Sequence, residues 1–171
     1  LLLGSASPEL LQQSSETLAG RISYLEMNPF HLAEIASSGG NPESHWFRGG
    51  YPDSYLATND VTSMQWCEDF ITSYIERYLP QLGAEASPQQ LRRFCRMLAH
   101  QHGGTLNLSK IGSSLGIDAK TVRRYIDLLE GLYLLRSLPA WSRNVGKRLV
   151  KAPKVYWRDT GLLHSLAELP S

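Results

Sequence analysis

Cysteine is scarce in this chain: its 171 residues hold two, Cys67 and Cys95. Two thiols cannot make the disulfide framework of a small secreted domain, so a reducing cytoplasm is the expected setting. Long hydrophobic runs are missing as well. None approaches the roughly 20 residues needed to span a bilayer. Leu1-Leu2-Leu3 is interrupted by Gly4 and Ser5 and is too short for a signal-peptide core, so no membrane association is expected. There is no internal repeat and no low-complexity tract. The chain has no initiator methionine and opens inside an apolar run, which leads us to expect a piece whose N-terminal part is missing.

The usual signatures of chemistry are also missing. Gly146-Lys147-Arg148 is the nearest approach to a phosphate loop, but that pattern needs Gly where Trp141 stands and Ser or Thr where Arg148 stands. Cys95, His100 and His102 are close in sequence, yet Cys95 falls on an apolar helix face and no fourth ligand accompanies them, so a structural role is expected and no metal. Glu68, Asp69 and Glu76 read as a solvated helix face, with Glu76 beside Arg77. No Ser/His/Asp arrangement can be assembled from local spacing.

Charge is present but uneven. Residues 1–84 carry three Lys/Arg and ten Asp/Glu, a net −7; residues 85–171 carry fourteen and six, a net +8. An acidic half joined to a basic half predicts two domains with different partners, 1–84 and 85–171, with a linker over 81–86. At 42% hydrophobic residues, a chain of this length can bury roughly two-thirds of its unfolded surface.

In the first half, Leu1–Leu3 reads as the end of a buried strand and Pro8 starts a short helix capped by Ser7. Ile22–Met27 reads as a strand, Pro29–Ile35 as a short helix and 37–42 as a loop. Arg48-Gly49-Gly50-Tyr51-Pro52 is a tight turn whose paired glycines allow positive φ. A helix is predicted from Val61 to about Leu79, stopped by Pro80 and Gly83.

The second half is sharper. Ser87, Pro88 and Gln90 form a capping-box pattern ahead of Leu91, Phe94, Cys95 and Leu98, which share one helix face. Gly103-Gly104 ends that helix. Asn107 caps the next, with Leu108, Ile111 and Leu115 facing inward and Gly116 in the left-handed turn. Asp118 caps a third helix, with Val122, Ile126 and Leu129 inward and Lys120, Arg123, Arg124 and Asp127 outward. Gly131 then leads into a strand over 132–138, which pairs with 154–158 across a long loop holding Arg143, Lys147, Arg148 and Lys151. Asp159-Thr160-Gly161 opens a final short helix. The succession is that of a winged helix-turn-helix. Lys120, Arg123 and Arg124 are the expected contacts to duplex DNA, and Arg143, Lys147, Arg148 and Lys151 the expected wing contacts to the adjacent backbone. The same surface can instead serve as a protein docking module, without nucleic acid.

Several segments resemble a widespread prokaryotic family of AAA-like predicted P-loop ATPases. They are Leu3-Gly4-Ser5-Ala6-Ser7, Leu18-Ala19-Gly20-Arg21, Asn28-Pro29-Phe30, Arg48-Gly49-Gly50-Tyr51-Pro52, the run from Tyr74 to Pro80, the run from Asn144 to Lys151, and the run from Pro153 to Leu163. The resemblance covers nearly the whole chain. It implies a fold that is mainly α with a small β component: the remnant of an α/β P-loop core, a helical segment, then the winged helix. Walker A and B segments are implied upstream of Leu1, and a nuclease-like region downstream of Ser171. It implies ATP and Mg²⁺ as cofactors of the full-length protein and none bound to this piece, which lacks the groups that hold them. Ser5 or Ser7 would sense the γ-phosphate and Arg21 would act on nucleotide. The chain departs from the pattern after Glu76-Arg77, where the family has Asp and this chain has Tyr78. Any role of that acidic group is therefore lost.

Overall fold

A computed structural model of the chain describes residues 25–81, 85–141 and 151–169. The expected strand at Leu1–Leu3, the helix from Pro8, and Ser5, Ser7, Arg21, Arg143, Lys147 and Arg148 lie outside the described residues. The described architecture is mainly helical with a small two-stranded sheet. No described helix is long and apolar enough to cross a membrane.

The first helices are short: α1 (Leu32–Ser37), α2 (Pro42–Arg48) and α3 (Pro52–Tyr55). Asn41 caps α2 by accepting the Glu43 N–H at 2.8 Å, and Pro42 takes the first helical position, where its missing N–H costs nothing. The loop expected over 37–42 therefore closes with the start of a helix. The expected strand at Ile22–Met27 does not form in its described part. Residues 25–27 have no regular structure, and Leu25 and Met27 are 87% and 91% exposed, because no strand lies beside them among the described residues.

A long helix follows in three parts, α4 (Asp60–Phe70), a π-helical segment (Ile71–Tyr78) and α5 (Leu79–Gln81). The sequence predicts one helix here, and its widened middle has a cause in the spacing. Cys67, Ile71, Ile75 and Leu79 are all buried and recur every four residues. A four-residue repeat drifts around a 3.6-residue helix, whereas π turns hold more residues and keep the row aligned. Pro80, expected as a stop, sits within the helix. On the neighbouring face Tyr51, Trp66, Phe70 and Tyr74 form a ladder of rings with centroids 5.0–5.4 Å apart.

Beyond it come α6 (Pro88–His100), α7 (Leu108–Leu115), α8 (Ala119–Gly131), β1 (Leu135–Leu138), β2 (Lys154–Trp157) and α9 (Thr160–Ala167). The predicted caps at Ser87, Asn107 and Asp118 form, and Asp159, expected only to open the last helix, caps it as well; each accepts a backbone N–H three residues on. The capping box at Ser87 is half made, since the Gln90 amide donates to the Leu115 carbonyl instead. Strand β1 starts later than predicted because α8 closes in a Schellman turn. The Leu134 N–H reaches the Leu129 carbonyl, the Tyr133 N–H reaches Glu130, and Tyr133 rather than a glycine takes the positive φ of 57°.

The strands pair antiparallel, with Leu135 opposite Trp157 and Leu138 opposite Lys154. One buried cluster runs from Cys67 through α6, α7, α8 and the sheet to Leu166 of α9. Residues on both sides of 82–84 thus share a single core. Helix α9 packs on α2, α4 and α6, and so brings the last described helix against elements of both halves of the chain.

Candidate nucleic-acid interface

Helix α8 is set by the turn before it. Gly116 takes φ of 70°, where a side chain would be strained. Gly112 has a different reason to be glycine. A Cβ there would stand 2.6 Å from the Ile117 carbonyl oxygen, and the Ile117 N–H donates back to Gly112 at 3.0 Å. The close approach of α7 to the turn fixes the angle at which α8 leaves it.

The inner face of α8 is fully used. Val122, Tyr125, Ile126 and Leu129 are buried at i, i+3, i+4 and i+7, and each large apolar side chain so buried contributes roughly 1.5–3 kcal/mol. Tyr125, missed in the sequence although its spacing fits, meets Phe94 edge-on at 5.6 Å and donates its hydroxyl to the Glu85 carbonyl at 3.0 Å.

The outer face carries Lys120, Arg123 and Arg124, all exposed. Arg123 lies 3.2 Å from Asp127 and Arg124 lies 3.8 Å from Glu85. The Arg124 guanidinium is also 6.0 Å from the centre of the Tyr125 ring. Both carboxylates are exposed, and such pairs contribute at most about 1 kcal/mol, so a phosphate could displace them. At the helix N-terminus the Asp118 carboxylate accepts the Thr121 N–H at 2.6 Å, which holds its pKa below the usual carboxylate range. That amide is therefore occupied.

Lys151, expected as a wing cation, lies in the connection between β1 and β2. It borders a groove of about 480 Å³ on the sheet, together with Lys154, Tyr156, Trp141, Leu138 and Thr105. Sequence reasoning placed Lys154 and Tyr156 in a strand and gave them no role. Strand alternation could have found them, because Leu135, Val155 and Trp157 turn inward while Arg136, Leu138, Lys154 and Tyr156 turn outward.

Two further constellations are structural. His102 stands edge-on to Tyr156 at 5.3 Å and accepts the Trp157 N–H through Nδ1 at 3.1 Å; burial pushes its pKa down. Cys95 is completely buried in the core, and its burial pushes the thiol pKa up. The acidic helix face is not simply solvated, and Glu76 does not turn to Arg77. Glu68 and Glu76, eight residues apart along the long helix, both bind Arg92 of α6, the latter at 2.7 Å.

The Arg-Gly-Gly-Tyr-Pro and Asp-Thr-Gly segments interlock. The buried carboxylate of Asp159 accepts N–H groups from Gly50 at 2.7 Å and from Leu162 at 2.9 Å. A Cβ on Gly49 would meet that carboxylate at 2.3 Å, and one on Gly161 would meet the Arg48 carbonyl at 2.2 Å. These glycines and the aspartate are there to fit one another.

Fold and site together define a mainly helical protein with a small two-stranded sheet and exposed cations on α8. The chain belongs to the family described as Domain of unknown function (DUF8612), which matches residues 39–171. It is 41% identical over 166 residues to the uncharacterized protein Mb2031c of Mycobacterium bovis and, to the same extent, to the uncharacterized protein Rv2008c of Mycobacterium tuberculosis. In each case the match covers 97% of this chain and 37% of the relative, so the chain spans about a third of those proteins' length. No solved structure matches it.

Proposed function

We propose that the chain is the C-terminal portion of a cytoplasmic AAA-like P-loop ATPase whose basic winged-helix module binds DNA. In that reading ATP and Mg²⁺ are held by the core of the full-length protein, and nucleotide state is coupled to the position of the basic module. The observation that carries the DNA part is the division of labour on α8. Its inner face is spent on the core, and the cations Lys120, Arg123 and Arg124 stand exposed on the other side. The ATPase part is supported by the sequence segments that resemble such proteins.

Duplex binding measured across a salt series tests the reading. Each phosphate neutralised contributes a slope of about −0.9 in log K against log salt, so affinity should fall steeply between low and physiological salt. The double substitution Arg123→Ala with Arg124→Ala should weaken binding without lowering the melting temperature by more than a few degrees. Absence of duplex binding at low salt would overturn the DNA reading. It would favour the same module docking on the ATPase core or another subunit. The ATPase part has its own test, nucleotide hydrolysis by the full-length protein.

A further inference from the structure

The outward face of the two-stranded sheet mixes rings and cations. It sets Tyr156 opposite Arg136 and Lys154 opposite Leu138, so one face alternates ring, cation and aliphatic side chains. Trp141, just beyond β1, is 79% exposed, and Leu138 is 47% exposed. Large apolar rings left in water are costly unless something covers them. Lys151 also lines the groove, and among the described residues no carboxylate does. The platform is preorganised, because His102 packs edge-on against Tyr156 and is itself held by the Trp157 N–H. The groove volume of about 480 Å³ is within the roughly 300–1,000 Å³ that accommodates a small planar ligand with its substituents.

We propose that this groove takes an unpaired base of a single-stranded nucleic-acid segment, with the base stacked on Trp141 and Tyr156 and the flanking phosphates held by Lys151 and Lys154. Aromatic faces stack any base, and cations beside them track the backbone, which is how sequence-tolerant single-strand sites are made. A base inside a duplex cannot offer its face in this way. The sheet would therefore read an unpaired end or bubble next to the duplex held by α8. This inference rests on the reading that the chain binds nucleic acid, and it names which form the sheet recognises.

The test uses the 171-residue chain with three fluorescent oligonucleotides: a blunt duplex, a single strand, and the duplex with a single-stranded overhang. The overhang should bind more tightly than the blunt duplex. Trp141→Ala and Tyr156→Ala should each cut single-strand affinity by at least about fivefold and remove the overhang preference, with blunt-duplex affinity unchanged. Tyr156→Phe should keep both. Trp141 is so exposed that its alanine variant should fold as the parent does, which keeps the test decisive if Tyr156→Ala does not fold. Unchanged single-strand affinity in Trp141→Ala, or equal affinity for blunt and overhang duplexes, would overturn this inference and leave duplex binding standing. Binding of the single strand alone would support it and overturn the duplex reading. No binding of any of the three would overturn both.

Discussion

The Asp159 carboxylate accepts the backbone N–H of Gly50 at 2.7 Å across 109 residues of chain. The same carboxylate caps α9 through Leu162, so one side chain fixes both the turn after α2 and the start of the last helix. Around it the Gly50 carbonyl accepts the Phe30 N–H at 2.8 Å, and the Phe30 carbonyl meets the His45 ring at 2.8 Å. The acidic first half and the basic second half are joined through this buried clasp as well as through the apolar core.

Asp159 should give stability an unusual pH dependence. Burial is the largest influence on its pKa and raises it, against the lowering effect of the N–H groups it accepts from Leu162, Gly50 and Gly161. With the folded value above the unfolded one, the folded state takes up the proton first. The associated stability is fully present below the ordinary value of 3.8 and is lost as pH rises through the folded value. Asp159→Asn cannot titrate, and it turns an amide NH₂ toward one of the donors, so it should destabilise by about 1–3 kcal/mol at neutral pH. The gap between parent and variant, read from urea melts, should widen as pH falls toward 4. A gap that narrows would mean that the hydrogen bonds outweigh burial.

Three glycines should separate three physical causes. Gly161→Ala drives a Cβ into the Arg48 carbonyl and should cost about 2 kcal/mol or more. Gly116→Ala has open space around it but a φ of 70°, so it should cost roughly 1 kcal/mol from backbone strain alone. Gly131→Ala, at the end of α8 with open space and no positive φ, should stabilise by up to about 1 kcal/mol. Thermal melts should place the three in that order. Equal effects would show that the close contact at Gly161 relaxes without cost.

What could be read from the sequence was what local chemistry controls. Caps at Ser87, Asn107, Asp118 and Asp159, the left-handed Gly116 and the buried stripe of α6 all follow from residues within one helical turn of each other. What escaped depends on partners far along the chain. Arg92 gathers Glu68 and Glu76 from the long helix, and Asp159 finds Gly50, neither of which any local pattern announces. Tyr133 escaped for another reason. Its left-handed turn is imposed by α8 ending against β1 and overrides the preference for glycine. Of the cations expected at a nucleic-acid surface, Lys120, Arg123 and Arg124 share the exposed side of α8, and Lys151, in the connection between the strands, lines the sheet groove.

In the proposed DNA-binding reading, Asp127 competes with nucleic acid for Arg123. The 3.2 Å pair runs from Arg to Asp along the helix, the less favourable direction for the helix dipole, and contributes about 0.5 kcal/mol or less. Asp127→Asn should therefore leave the melting temperature within about 2 °C of the parent. It should also tighten duplex binding severalfold, since it removes a negative charge and frees a guanidinium. Fluorescence anisotropy at fixed salt checks this. Unchanged affinity would remove Arg123 from the interface.

Arg92 is where the long helix, α6 and α9 are held together by charge. Its guanidinium bonds Glu76 at 2.7 Å and also Glu68, and Glu68 in turn accepts the Ser165 hydroxyl at 2.7 Å. A forked cation can serve two carboxylates at once, and a lysine ammonium on a shorter reach cannot hold both with the same geometry. Arg92→Lys should therefore lose roughly 1 kcal/mol, and Arg92→Ala somewhat more, because two facing carboxylates then repel with no cation between them. All three groups are partly open to solvent, so screening should matter. The cost of Arg92→Ala, measured by chemical denaturation, should shrink as salt rises from 0.05 M to 0.5 M. A cost independent of salt would assign the role of Arg92 to the packing of its aliphatic stem instead.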